Sequence, residues 1–259
     1  MKTGGDMALM TCRTLAAAPI LVLLLGVTSA RAQGPGMDAE TLFNTGLNHL
    51  REGRTQDAVE FFKKAIKADG KNPYFHKGLG QAYLRLGKYD DAVTSFRKAL
   101  AINPYYTDVH NDLGAALAAS GKPAEGRREF LGAFSDPTNP TPEMTARNIG
   151  ATYFEEHNYP EALRWFRTSM ERNNHFPDAY VRSADTLVAM GKLDDAVAVL
   201  ESAEKVLAED LGVSLALGEA YYRAGRFADA RSRLERVASK DPIGSGGRRA
   251  SELLRNLSK

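Results

Sequence analysis

The histidines are the residues in this sequence whose type and spacing come nearest to a metal site. His76 and His110 lie 34 residues apart, and the chain has five histidines in all. No two of the five have the short spacing that places two zinc ligands on one helix face. We therefore predict that His76 and His110 pack structurally, that the protein has no metal site and that it needs no cofactor.

The paired acids could in principle supply general acid and base catalysis. They are Asp90-Asp91, Glu155-Glu156 and Asp194-Asp195, and each pair flanks a predicted turn. Carboxylates at such positions commonly stabilise the start of a helix by interacting with its dipole. The glycine-rich stretches at 34–36 and 244–247 lack the strand-to-helix setting of a phosphate loop. We predict that the protein is not an enzyme.

The amino-terminal segment predicts export. Lys2 and Arg13 precede an apolar run over 15–27, and a small-residue motif at 30–32 follows it. A run of about 13 residues suits a cleaved signal peptide, because a spanning helix needs about 20. We predict a secretory signal peptide over 1–32, a periplasmic location, and no membrane span after cleavage; peripheral association with the outer membrane stays open.

The charge of the chain bears on nucleic-acid binding, and its cysteine content bears on lipid attachment. Removing residues 1–32 leaves 31 basic and 31 acidic residues. A neutral chain lacks the positive field that binds phosphate backbones, so no nucleic-acid partner is expected. Cys12 is the only cysteine and precedes the apolar run. Lipid attachment requires a cysteine just after that run, and the sequence therefore predicts that the protein is not a lipoprotein.

The rest of the chain is a repeat with a period of 34 residues. Gly46, Gly80 and Gly114 mark the period, and two extra residues separate the third unit from the fourth. The predicted units are 39–72, 73–106, 107–140, 143–176, 177–210 and 211–242. We assign 33–38 to a flexible linker and 243–259 to a capping helix.

Side-chain size repeats with the units. Position 8 is glycine or alanine in all six, as is position 20, which allows two helices to approach closely. Position 24 is large and apolar: Phe62, Phe96, Phe130, Phe166, Leu200 and Leu234. Position 15 is glycine in five units, where it can end a helix, and His157-Asn158 replaces it in the fourth unit, with Asn158 as the expected substitute.

These columns resemble the tetratricopeptide repeat, a helix-turn-helix unit of 34 residues. The resemblance implies an all-α, right-handed solenoid of six such repeats, with first helices lining the concave face. Each pair buries its apolar surface against its neighbours. Ala250, Leu253, Leu254 and Leu257 recur at helical spacing and predict a C-terminal capping helix that packs on the sixth unit.

The concave positions of the first helices make up the predicted protein-binding groove. Asparagine and glutamine there suit the main chain of an extended peptide, and the apolar first end could take a side-chain anchor. The predicted groove residues are Asn44, Leu47, Tyr74, Lys77, Gln81, Asn111, Asp112, Arg147, Asn148, Arg182 and Asp185. Whether a partner binds as strand or helix, and the oligomeric state, stay open.

The interruption after the third unit resembles a segment of one family. The run from Phe130 through Ser135-Asp136-Pro137 and Pro142-Glu143 to 147–150 is similar to the PilF and PilW proteins of type IV pilus biogenesis. This resemblance implies a pilotin, which binds subunits of the outer-membrane secretin and promotes their multimerisation. Family members are commonly lipoproteins, and this chain departs from them there. The alternative is a periplasmic repeat scaffold for another envelope complex unrelated to pili.

Overall fold

The computed structural model describes residues 37–258, and its regular structure there is entirely α-helical. The helices in this part of the chain are α1 (Ala39–Arg51), α2 (Thr55–Ala68), α3 (Pro73–Arg85), α4 (Tyr89–Ile102), α5 (Thr107–Ala119), α6 (Pro123–Ser135), α7 (Pro142–Glu155), α8 (Tyr159–Arg172), α9 (Pro177–Ala189), α10 (Leu193–Val206), α11 (Leu211–Arg223), α12 (Phe227–Lys240) and α13 (Ser245–Leu257). The predicted signal peptide lies outside the described residues. None of these helices is long and apolar enough to cross a membrane.

The helices form six consecutive pairs followed by α13. Each odd-numbered helix from α1 to α11 packs on the helix that follows it, and it also contacts the next odd-numbered helix. Among the described residues, α2, α4, α6, α8, α10 and α12 make no such contacts with one another. The odd-numbered helices therefore lie closer together and line the concave face of the solenoid, as predicted.

Close helix approach explains the small residues at position 8. A Cβ atom at Gly80 would lie 2.5 Å from a ring carbon of Phe96, and one at Gly114 would lie 2.7 Å from the ring of Phe130. Phe96 is fully buried and Phe130 nearly so. The aromatic side chain at position 24 thus fills the space that the missing side chain at position 8 leaves, which couples the two columns of the repeat.

The turns within the pairs use left-handed backbone conformations. Gly87 has a φ of 69°, which glycine adopts without the clash that a Cβ causes. The φ angles of the other four turn glycines are also positive. In the fourth unit it is His157, with φ 57°, that takes this conformation, whereas Asn158 has φ −84°. The expectation that Asn158 is the substitute was wrong by one residue. The Nδ1 atom of His157 lies 3.0 Å from the Tyr159 hydroxyl.

The two extra residues between the third and fourth units belong to an ordered loop between α6 and α7. Asp136 accepts a hydrogen bond from the Thr107 hydroxyl, and this contact helps to lower its pKa. The Asn139 amide donates to the carbonyl of Ala133 over 2.9 Å and to the Thr145 hydroxyl over 3.0 Å. The loop is therefore tied to α5, α6 and α7.

Both ends of the described chain are closed by specific contacts. Asp38, the last residue of the predicted linker, accepts a 2.7 Å hydrogen bond from the backbone N–H of Thr41 and so caps α1. At the other end α13 packs against α11 and α12. Its residues Ala250 and Leu253 are buried in the cluster of the last two units. The predicted capping helix is confirmed.

Candidate protein-binding groove

All eleven residues predicted to bind a partner lie on the odd-numbered helices. Those on α1 and α3 are Asn44, Leu47, Tyr74, Lys77 and Gln81, and those on α5, α7 and α9 are Asn111, Asp112, Arg147, Asn148, Arg182 and Asp185. Their contacts differ from one part of the concave face to the next. Many of these polar side chains interact with each other across adjacent helices.

At the first end, the apolar residues are largely engaged in packing. Leu47 is only partly exposed and packs against the buried cluster of the first two units. Asn44 is exposed, and Tyr74 is 57% exposed. The Tyr74 ring meets the Tyr106 ring edge-on, with centroids 5.4 Å apart. This end therefore presents the exposed ring of Tyr74, while Leu47 contributes to the core.

A ladder of polar contacts joins α3 to α5. The Lys77 ammonium lies 3.2 Å from a carboxylate oxygen of Asp108 and 4.8 Å from the centroid of the Tyr106 ring. One turn further along, the Gln81 amide donates to Asp112 over 2.9 Å. These contacts close the concave surface between the second and third units, because a ligand must break them to reach the side chains.

A second polar network spans α5, α7 and α9. The Asn148 amide donates to Asn111 over 3.2 Å and accepts a 2.8 Å hydrogen bond from Arg147. The Nε atom of Arg147 also lies 2.7 Å from Asp178, which Arg182 approaches to 3.7 Å. The structure therefore brings four predicted groove residues together: Asp178 joins Arg147 to Arg182, and Arg147 leads through Asn148 to Asn111.

Two carboxyl groups in the groove have raised pKa values. Burial raises the pKa of Asp112, although its hydrogen bond from Gln81 and the charge of Lys77 oppose that effect. Desolvation also raises the pKa of Asp185, against the attraction of Arg182 and Arg223. Both shifts have the same physical origin, since the concave face removes these side chains from part of the water around them.

An apolar cavity of about 480 Å³ opens on the concave face between the third and fourth units. We call it the alanine pocket. Its lining residues are Ala115, Ala118, Ala119, Gly121, Pro123, Phe130, Asn148, Ala151, Thr152 and Glu155. Of these, Asn148 alone was among the predicted groove residues, so the pocket was not predicted from the sequence.

The pocket exists because the third unit is the one unit with alanine at all three of the inner positions 9, 12 and 13. Positions 9, 12 and 13 are Ala115, Ala118 and Ala119 here, whereas the second unit has Gln81, Leu84 and Arg85. A column-by-column comparison of these positions could have revealed the difference. The relevant signal is a departure from the repeat, not a match to it.

Two smaller cavities continue the groove toward the C-terminal end. One of about 120 Å³ lies between the fourth and fifth units, with Phe154, Glu155 and Asp185 among its lining residues. The next, of about 230 Å³, lies between the fifth and sixth units beside Val188. The described residues contain no group of three or more histidine, cysteine or carboxylate side chains arranged to hold a metal ion.

Comparison with known structures relates this solenoid to others of its kind. The crystal structure of PilW, a widely conserved type IV pilus biogenesis factor, matches with a TM-score of 0.68 and 24% identity, covering 81% of this chain and 96% of that one. Pseudomonas aeruginosa PilF matches with a TM-score of 0.64 and 20% identity, over 81% and 95%. YrrB, a repeat protein with an unusual peptide-binding site, matches with 0.52 and 21%, over 68% and 90%. No curated protein sequence matches.

The tetratricopeptide repeat family model matches residues 27–73, 43–107, 77–140 and 181–247. Together these ranges cover more than half of the chain, and the helix pair α7–α8 lies in the stretch that they leave out. Repeat scaffolds of this kind bind protein partners and are generally non-enzymatic. The chain belongs to the tetratricopeptide repeat family, and its architecture is that of a protein-interaction scaffold.

Proposed function

We propose that this protein is an exported scaffold of the bacterial envelope that binds partner segments in its concave groove and assists the assembly of a type IV pilus secretin. The observation that carries the proposal is the likeness in fold to PilW and PilF, which extends over most of both of those chains. The signal peptide expected from residues 1–32 supports the location. The partner is a secretin subunit.

The groove residues predicted from the sequence would contribute unequally to this binding. Asn44 and Tyr74 are exposed at the first end, and Arg182 and Asp185 are exposed on α9. Lys77, Gln81, Asp112, Arg147 and Asn148 already interact within the protein. A bound segment therefore contacts the exposed residues directly, and we expect it to replace some of these internal contacts with its own.

Affinity capture from the organism's own envelope tests the proposal. The bait is the exported protein, either unchanged or with Lys77→Glu and Arg147→Glu together. The matched control is Lys67→Glu with Arg167→Glu, which makes the same charge change at exposed positions on the outer helices α2 and α8. We expect secretin subunits with the unchanged bait and the control, and a loss of at least about tenfold with the groove variant.

The outcomes separate the parts of the proposal. Capture of secretin that the groove variant does not weaken would place the binding surface elsewhere. Capture of other envelope proteins without any secretin would instead support a scaffold unrelated to pili. Circular dichroism of both variants shows whether the solenoid remains folded, because the groove variant breaks the ion pairs of Lys77 with Asp108 and of Arg147 with Asp178.

A further inference from the structure

We propose that the alanine pocket binds one apolar side chain of a partner segment whose flanking residues are basic. The proposal rests on the proposed function, because it specifies the chemistry of the segment that the groove accepts. It assigns a site on α5 and α7, away from the apolar first end of the groove.

The size and lining of the pocket suit an apolar group. Its volume of about 480 Å³ lies within the range of about 300 to 1,000 Å³ that ligand-binding cavities occupy. The inner wall consists mainly of alanine methyl groups with the Phe130 ring behind them. Burying a leucine or phenylalanine side chain there removes apolar surface from water on both partners.

The hydroxyl and amide groups in the pocket wall already have partners. The Thr152 hydroxyl donates to the carbonyl of Ile149 over 2.7 Å. Asn148 uses its amide on Asn111 and its oxygen on Arg147. An apolar occupant therefore leaves no polar group of these side chains newly unsatisfied, whereas a polar occupant finds few hydrogen-bonding groups inside.

The rim of the pocket is acidic. Glu155 lines both the pocket and the adjoining smaller cavity, is exposed and has no ion-pair partner among the described residues. The nearby cations pair with other carboxylates. Arg147 and Arg182, which line the smaller cavity with Glu155, lie 2.7 and 3.7 Å from Asp178. Lys122 lies 3.9 Å from Asp90, and Arg127 lies 2.8 Å from Glu156. A positive charge beside the anchor side chain thus meets an unpaired carboxylate at the rim.

The charge of the whole solenoid favours the same partner. Residues 107–210, which contain the pocket, have 18 acidic and 10 basic side chains. Residues 39–106 have 7 acidic and 11 basic side chains, and residues 211–259 have 5 and 10. The net negative charge is therefore confined to the third, fourth and fifth units, and most of it lies in the fifth, where residues 177–210 have 8 acidic and 3 basic side chains. It attracts a basic segment to the pocket and disfavours the same segment at either end.

Binding of synthetic peptides tests the proposal directly. Three fluorescently labelled decapeptides with a glycine and serine background are compared. The first has leucine at its centre with two lysines on each side, and the second has alanine in place of the leucine. The third has the central leucine with glutamates in place of the lysines. We expect the basic leucine peptide to bind the exported protein about tenfold or more tightly than either of the others. Fluorescence anisotropy measures the dissociation constants.

Two variants connect this preference to the pocket. Ala118→Leu introduces the residue that the first two units have at the same position, Leu50 and Leu84, and narrows the pocket. It should remove the advantage of leucine over alanine, whereas Ala101→Leu, at an exposed position on α4, should not. Glu155→Lys should weaken the basic peptides severalfold in a salt-dependent manner, and Glu171→Lys on α8 is its charge-matched control.

Equal binding of the leucine and alanine peptides, or an unchanged preference in Ala118→Leu, would overturn the proposal. Concentration-dependent dimerisation that Ala118→Leu abolishes would also overturn it, in favour of a second copy of this chain. The test is independent of the secretin assignment. If the peptides behave as expected but no secretin is captured, the pocket stands and the pilus role fails; if secretin is captured without the peptide preference, the pocket proposal alone fails.

Discussion

The helices α3 and α5 pack together in the same way as α5 and α7. The concave surface is closed at the first junction and open at the second. At the first, Lys77 and Gln81 reach across to Asp108 and Asp112 and close the groove. At the second, the alanine pocket leaves a cavity of about 480 Å³. The repeat thus determines where the helices lie, whereas side-chain size at a few inner positions determines where a partner can insert.

The largest expected effect is on the free energy of unfolding, and it comes from removing the buried aromatic side chain at each junction. Phe96 and Phe130 occupy the same repeat position and are almost fully buried. Phe96→Ala should lower the free energy of unfolding by about 3 to 5 kcal/mol. Phe130→Ala should lower it less, because the space it leaves joins the alanine pocket and admits water. Urea unfolding followed by circular dichroism measures both, and a greater loss in Phe130→Ala would contradict the comparison.

Exchanging leucine and alanine at position 12 of the second and third units should change the free energy of unfolding by a smaller amount. Leu84 packs against the buried cluster of the second and third units, so Leu84→Ala should cost about 1 to 3 kcal/mol of unfolding free energy. Ala118→Leu should change it by less than about 1 kcal/mol, because the pocket has room for the added atoms. Thermal unfolding of the two variants makes the comparison, and severe destabilisation by Ala118→Leu would show that the space is not open.

A pH effect distinguishes two histidines at the same repeat position. His110 contacts Glu129 at 2.8 Å, and this hydrogen bond raises the pKa of His110 above its ordinary value of 6.5, whereas His76 contacts the Gly70 carbonyl. The resulting stabilisation is fully present below pH 6.5 and is lost as the pH rises through the raised pKa.

We expect Glu129→Gln to remove at most about 1 kcal/mol of stability below pH 6.5 and almost none once His110 has lost its proton. Unfolding free energies measured at pH 5.5 and pH 8.5 test this difference. An equal loss at both values would mean that the contact does not depend on the charge of His110.

The smallest effect concerns the ladder itself. Lys77 and Asp108 have side chains that are 18% and 46% exposed, so their ion pair is partly screened by water. A double-mutant cycle with Lys77→Ala and Asp108→Ala should give a coupling energy of about 0.2 to 1 kcal/mol, decreasing as salt is added. A coupling energy that does not respond to salt would indicate that the pair is more buried than the structure shows.

The sequence predicted the fold well because every unit repeats the same packing rule. The small residue at Gly80 and the ring of Phe96 lie 34 residues before Gly114 and Phe130, and each pair packs in the same way. The groove was harder to predict, since its properties depend on differences between units. The polar ladder depends on which side chains reach across two helices, and the pocket on three alanines that no repeat pattern requires.

The central claim is that a partner inserts between α5 and α7. Backbone amide NMR of the isotopically labelled protein, titrated with the basic leucine decapeptide, tests it most directly. We predict that the largest chemical-shift changes occur around Ala118 and Ala151, and that Ala118→Leu suppresses them. Changes concentrated on α1 and α3, or on the outer helices, would contradict the claim.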